Sequence, residues 1–440
     1  MRLLYLFLKG LLKITLWIYY PRFRVVEREK KNHSRTIYMS NHAASFMDPL
    51  VISALQSTIV FFMTRGDIYK GIMKPIFWAA HMLPIYRQHD NVDTKKENLK
   101  SFKRSSNVLS FGRSIIVFAE GFTDDVFIRR LKPIKKGGVR MGFMALEAMN
   151  WKKKVYIKAV GVNYSNPNHL GSDCLIKNGE AICLNNYKEQ YEENPVGTIN
   201  SLTRRIEKEM RALITDVRKA ELAPFHEHIM RLTRKGMHPV DTDKRLTLEE
   251  RFAYSKRLAD WFNEEKIEDN EELMSLKTRT ENYFNSLKQN KIDETALYKV
   301  NTNKRRQDLD YPYLFFFFPL MVLGEFFTYI PYKFTKNFIE KSFRRKVFWG
   351  STKMLIGAAF VGIYNFLLLL LVSLIFNVSL LLLLALGTFI VPMLFVMAVN
   401  WHKKYKLHKQ MKIISRMDVG SISLEREAIL KEIYRLIPVA

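Results

Sequence analysis

The sequence predicts an α/β fold: a mostly parallel sheet flanked by helices, followed by a helical connector and a C-terminal transmembrane hairpin. Three observations predict it. Residues 35–220 alternate short runs of β-branched and aromatic residues with stretches of helical periodicity, the pattern of a parallel sheet covered by helices. Residues 221–310 are charge-rich and carry apolar residues at helical spacing. Beyond Leu314 the chain turns apolar, and residues 354–376 and 378–399 each reach the roughly 20 residues that cross a bilayer. The expected divisions are residues 1–30 as an N-terminal membrane-interface helix, 31–220 as the α/β domain and 221–310 as the connector. A membrane domain over 311–400 and a basic cytoplasmic tail over 401–440 complete the chain.

The elements follow in order. Arg2, Lys9 and Lys13 recur at helical spacing, with Leu4, Phe7, Leu8, Leu11, Leu12 and Leu16 filling much of the rest. Such a helix lies in the headgroup plane more comfortably than it crosses, because crossing would place two lysines at depth; a tilted span is the alternative. No small-residue cleavage site follows, so this segment does not read as a cleavable signal. Strands are expected at Thr36–Met39, Thr58–Met63, Ile115–Phe118 and Val155–Val162, and helices at Asp93–Ser110 and Val139–Met149. In the connector, Thr247-Leu248-Glu249-Glu250 has the form of a capping box.

The apolar tail reads as a tight hairpin turning at Asn377. Basic residues precede it at Lys341, Arg344, Arg345, Lys346 and Lys353 and follow it at Lys403, Lys404, Lys406 and Lys409, so both ends face the cytoplasm. This places the chain in the cytoplasmic (inner) membrane with its α/β domain on the cytoplasmic side. Leu314–Tyr332 is different. Lys304, Arg305 and Arg306 precede it, Lys333 and Lys336 follow it, and it holds Pro319, Gly324, Glu325 and Pro331. Cationic flanks and internal breakers favour a re-entrant or interfacial segment over a clean span.

Composition narrows the partners. A net charge of +27 over 440 residues calls for a polyanion: nucleic acid, anionic lipid headgroups or an acidic carrier. The apolar tail selects anionic membrane lipids, and no nucleic-acid-binding motif is present, so no nucleic acid is expected. Cys174 and Cys183 give neither a disulfide framework nor a metal spacing and read as two reduced thiols. His226-Glu227-His228 does not place its histidines four apart on a helix and has no evident third ligand, so no metal is expected.

Four blocks carry chemistry. The first, Ser40-Asn41-His42-Ala43-Ala44-Ser45-Phe46-Met47-Asp48-Pro49, sets a histidine and an aspartate six positions apart after a short apolar run. Histidine is the side chain best suited to take a proton near neutral pH, and a carboxylate beside it fixes its tautomer. Six positions do not keep two side chains on one helical face, so the pair must bend around a turn or helix start. The second block is Leu83-Pro84-Ile85-Tyr86-Arg87, the third Ile115-Ile116-Val117-Phe118-Ala119-Glu120-Gly121-Phe122-Thr123, and the fourth runs from Val155 to Tyr164. Arg87 could grip a phosphate bidentately and reads equally as a surface arginine. The first and third blocks each follow a strand, and active sites of open α/β sheets lie at the carboxyl ends of strands. Lys132-Pro133-Ile134-Lys135-Lys136-Gly137-Gly138-Val139-Arg140 is a second phosphate candidate; Lys132 and Lys136 read equally as a solvated basic turn.

The order and spacing of these blocks over roughly residues 30–220 resemble the glycerolipid acyltransferase family, specifically its long membrane-bound bacterial-type members. There are departures: five residues separate His42 from Asp48 where most members have four, Ala119 and Ala159 stand at usual proline positions, Phe122 replaces Thr or Gly, and Asp124 replaces Arg or Ser. The resemblance implies His42 as base and Asp48 as its orienting carboxylate. It implies substrate binding by Asn41, Arg87, Glu120, Gly121, Lys135 and Arg140. The implied activity moves a fatty acyl group from acyl-CoA or acyl carrier protein to the hydroxyl of lysophosphatidic acid or glycerol 3-phosphate, with no cofactor. The alternative is a non-catalytic basic membrane-surface scaffold keeping the same fold, which would have no use for His42, Asp48, Arg87 and Glu120 together.

Overall fold

The structure, a computed structural model, describes residues 2–27, 33–55, 59–66, 69, 71, 74–75, 77, 80–86, 93–302 and 310–440. Two compact units emerge: Met1–Pro167 with Ser172–Ala220, and Asn168–Gly171 with Glu221–Ala440.

The first unit is built on a seven-stranded sheet of order β1-β7-β6-β2-β5-β3-β4. Its strands are β1 (Arg22–Glu27), β2 (Thr36–Ser40), β3 (Val60–Arg65), β4 (Met82–Ile85), β5 (Ser114–Phe118), β6 (Tyr156–Tyr164) and β7 (Asp173–Cys183). The helices are α1 (Arg2–Tyr19), α2 (Met47–Leu55), α3 (Thr94–Ser110), α4 (Gly137–Ala148), α5 (Lys188–Glu193) and α6 (Pro195–Leu213). The mostly parallel α/β architecture expected from the alternation is what the chain forms. β2 lies at the centre, every residue buried, pairing in parallel with β5 on one side and β6 on the other. A strand covered on both faces reads as a continuous apolar run, and Ile37-Tyr38-Met39 is one. Helix α3 starts where Asp93 caps it, its carboxylate accepting from Lys96 N at 3.1 Å.

Three strands, β1, β4 and β7, were not among those expected. β7 runs antiparallel to β6, and β1 runs parallel to β7, so both reverse the direction of the other five strands. Their sequences lack apolar alternation because charged partners hold them instead. Arg22 Nε donates to the buried Asp173 at 2.7 Å, and the buried Lys158 of β6 reaches Glu27 at 3.1 Å.

The second unit begins with helices α7 (Ala223–Thr233), α8 (Leu248–Glu264), α9 (Glu271–Gln289) and α10 (Glu294–Thr302). The expected capping box opens α8: Thr247 Oγ1 accepts from Glu250 N at 3.3 Å, and Glu250 accepts from Thr247 N at 2.7 Å. His226 and His228 have packing roles; His226 Nε2 lies 3.0 Å from Ser255 O, and the His228 ring stacks on Phe284. Next come α11 (Asp310–Phe316), α12 (Phe318–Ser342), α13 (Trp349–Phe376), α14 (Leu380–Ile414) and α15 (Gly420–Leu436). The basic flank Lys304, Arg305 and Arg306 lies outside the described residues. Residues 346–376 and 380–414 are helices long and apolar enough to cross a membrane. Asn377 joins them at φ 51°, a left-handed conformation that asparagine tolerates. Residues 420–436 do not trail as a tail. They fold back as α15, where Arg426 pairs with the buried Glu294 at 2.8 Å and Arg279 of α9 reaches Glu425 at 3.0 Å.

Leu314–Tyr332 falls within α11 and α12, and α12 continues through Pro331 to Ser342. A proline inside a helix removes the N–H that would bond the carbonyl four residues earlier. Here that carbonyl is Phe327 O, and Asn365 Nδ2 of α13 donates to it at 3.0 Å. A carboxamide on α13 thus supplies the bond that the proline removes from its neighbour. Gly324 allows the other close approach: a Cβ there would lie 2.5 Å from Leu394 O of α14.

Candidate active site

The first block folds as strand, turn and helix. β2 ends at Ser40, Ser45 adopts a left-handed φ of 53°, and α2 begins at Met47. Asp48 falls in the first turn of α2, where the helix dipole favours a carboxylate. This turn closes the six-position gap, and His42 Nδ1 lies 3.0 Å from Asp48 Oδ2. Because a carboxylate only accepts, the neutral imidazole in this contact carries its proton on Nδ1 and its lone pair on Nε2. Nε2 has no hydrogen-bond partner among the described residues. The imidazole is partly exposed while Asp48 is fully buried, so the dyad has one open side.

The surroundings hold both members. Asp48 Oδ2 also accepts from Ala44 N at 2.9 Å, and Oδ1 accepts from the Tyr164 hydroxyl at 2.9 Å. Tyr164 ends β6 and is itself buried against Tyr20, with ring centroids 5.7 Å apart. Burial pushes the Tyr164 hydroxyl well up, with the Asp48 charge adding to it, so it stays a neutral donor. The His42 ring stacks on Phe118 at the end of β5, centroids 4.3 Å apart.

Glu120 is buried and reaches two backbone amides, accepting from His42 N at 2.5 Å and from Lys132 N at 3.0 Å. Burial pushes its carboxyl up, and the two N–H donors together with Lys132 and His42 pull the other way. Asn41 is buried as well; its carboxamide donates to Val162 O at 3.0 Å and accepts from Val162 N at 2.8 Å. Both of its polar ends therefore engage β6. Gly121 has φ +79°, and a Cβ there would lie 2.8 Å from Lys135 Nζ, so glycine lets the lysine close over the turn. Lys135 is otherwise exposed, as is Arg140 in the first turn of α4. Arg87 lies outside the described residues.

Two side chains escaped the sequence reading. Lys132 is not a solvated turn residue: it is buried, its Nζ donates to Phe122 O at 2.9 Å and lies 3.4 Å from Asp124. Tyr164 was visible only as a strand residue. Its place at the carboxyl end of β6, beside the strand that delivers His42, is the signal that could have found it.

A histidine oriented by a buried carboxylate thus stands at the carboxyl ends of parallel strands, an arrangement chemically able to accept a proton. The family model Acyltransferase matches residues 22–163, the stretch from β1 to near the end of β6 that contains this site. Among solved structures, the chain is similar to the 1-acyl-sn-glycerophosphate (LPA) acyltransferase PlsC from Thermotoga maritima at 16% identity. That match covers 46% of this chain and 78% of that one, with a TM-score of 0.31. No curated protein matches the chain.

Proposed function

We propose that the chain transfers a fatty acyl group from an acyl thioester, acyl-CoA or acyl carrier protein, to the hydroxyl of lysophosphatidic acid or glycerol 3-phosphate. The observation that carries the reading is the His42–Asp48 contact, which leaves Nε2 on the open side of the dyad. In this mechanism Nε2 removes the acceptor hydroxyl's proton as the oxygen attacks the thioester carbonyl. The tetrahedral intermediate then collapses, expelling the thiolate, and the imidazolium returns the proton to give the free thiol. Asp48 stabilises the imidazolium without itself taking the proton. No cofactor enters the step.

Tyr164, Glu120 and Asn41 act as positioning residues in this scheme. Tyr164 holds Asp48, Glu120 fixes the His42 backbone, and Asn41 ties the same strand end to β6. Arg87, Lys135 and Arg140 are assigned to the acceptor's phosphate, a role that suits the exposed Lys135 and Arg140, and Gly121 to the close approach that Lys135 needs. The two apolar helices would hold the enzyme at a membrane, with its basic ends toward the cytoplasm and anionic lipid.

The test is purified full-length protein with labelled acyl-CoA or acyl carrier protein and a panel of acceptors: glycerol 3-phosphate, lysophosphatidic acid and their unphosphorylated counterparts. Labelled ester on a phosphorylated acceptor, with one thiol released per ester, is expected. Folded protein that acylates nothing in the panel would contradict the reading.

A further inference from the structure

Both ends of α12 meet the open end of the apolar hairpin. On the N-terminal side, Phe318 packs on the Trp401 ring of α14, and Trp401 Nε1 donates at 2.8 Å to Leu314 O of the preceding α11. On the C-terminal side, Lys353 Nζ of α13 donates to Glu340 at 2.6 Å. Trp401 and Lys353 sit beside the basic clusters, while the hairpin turns at Asn377. Between its ends α12 touches α14 through Gly324 and Leu394, then α13 through Phe327 and Asn365. A third crossing would carry one end of α12 to the level of Asn377; these contacts keep both ends at the base.

The inner face of α12 is a seam of Met321, Gly324, Thr328, Pro331, Thr335 and Ile339, all buried. The outer face exposes Phe326, Tyr329, Ile330, Phe334 and Phe338. Left in water, that face would be an apolar patch too continuous for a soluble surface. It adjoins two helices of membrane-spanning length, and Lys333, Lys336 and Lys341 punctuate its C-terminal half. Aromatic rings prefer the bilayer–water boundary, and lysine stems let their ammonium groups reach headgroups from there.

We infer that α12 lies in the bilayer interface at the open end of the hairpin, its aromatic face against lipid and its lysines on anionic headgroups. The placement rests on α13 and α14 crossing a bilayer. It makes the membrane contact broader than a hairpin, a flat aromatic helix bracing the two crossings where they enter one leaflet.

The test uses full-length protein carrying Cys183→Ser, with the buried Cys174 retained, reconstituted in vesicles containing anionic lipid. Single cysteines are introduced as Tyr311→Cys, Ser342→Cys, Asn377→Cys and Lys409→Cys and probed with a membrane-impermeant thiol reagent. Positions 311, 342 and 409 should react from one side and 377 from the other. Fluorophores on Phe326→Cys and Phe334→Cys should lose emission to lipid quenchers placed near the headgroup more than to quenchers at the chain ends. Reaction of 311 and 342 from opposite sides would overturn the placement of α12 alone. Reaction of 377 from the same side as 409 would overturn the crossing and the placement with it. Fluorophores untouched by either lipid quencher would show that water or protein, not lipid, covers the face.

Discussion

Asp48 accepts three hydrogen bonds: two from the turn just before it, the His42 ring and the Ala44 amide, and one from the Tyr164 hydroxyl at the end of β6. Removing the last should be costly because a buried carboxylate would lose a donor it cannot replace. Tyr164→Phe should lower kcat/KM by about ten- to hundredfold, the equivalent of roughly 1.5–3 kcal/mol, in steady-state assays of folded protein. Turnover equal to wild type would show that the tyrosine only fills space. Glu120 gives a pH signature. Its carboxyl is raised in the folded protein, burial being the main cause, so the folded state binds that proton more tightly than the unfolded chain. Stability present below the ordinary glutamate range is therefore lost as pH rises through the raised value. Unfolding free energy of wild type minus Glu120→Gln should fall across that window, and a flat difference would contradict the assignment. Histidine, aspartate and glutamate were legible as residue types in ordered blocks. Their partners were not, because a backbone amide as the target of Glu120, or of Asn41, leaves no mark in a sequence.

Elements whose residues satisfy themselves locally were readable. β2 is a short apolar run, α3 begins at an aspartate cap, and α8 begins at a capping box whose two bonds form as expected. β1 and β7 were not, since ion pairs to residues far along the chain hold them. α12 shows the same limit. Pro331 reads as a breaker, yet the helix continues because Asn365, on another helix, supplies the missing donor. Asn365→Leu should destabilise the detergent-solubilised protein by about 1–3 kcal/mol, the cost of leaving Phe327 O unpaired. Pro331→Ala restores an N–H for that carbonyl, so the double variant should recover most of the loss. Additive losses in this double-mutant cycle would show that the two residues are not coupled.

At the scale of the molecule, charge flanking the apolar segments marked where the hairpin begins and ends. The return of α15 onto the helices before the hairpin was hidden, because Arg426 and Glu294 are separated by 132 positions. Both side chains are buried, and Tyr283 also donates to Glu294. Arg426→Met should cost about 3–5 kcal/mol by leaving a buried carboxylate without its cation. Arg426→Met with Glu294→Gln should cost much less, since no charge is left unpaired. Denaturant unfolding of the two variants checks this, and equal losses would mean that packing of α15, not the ion pair, sets its contribution.

The proposed acyl transfer requires His42 as the base. The most direct measurement is acyl transfer by purified His42→Ala, beside wild type, with thermal unfolding recorded on the same samples. Losing a general base costs about 10²–10⁴-fold. A loss of that size with an unchanged unfolding transition is expected. Near wild-type turnover in a folded His42→Ala protein would contradict the mechanism.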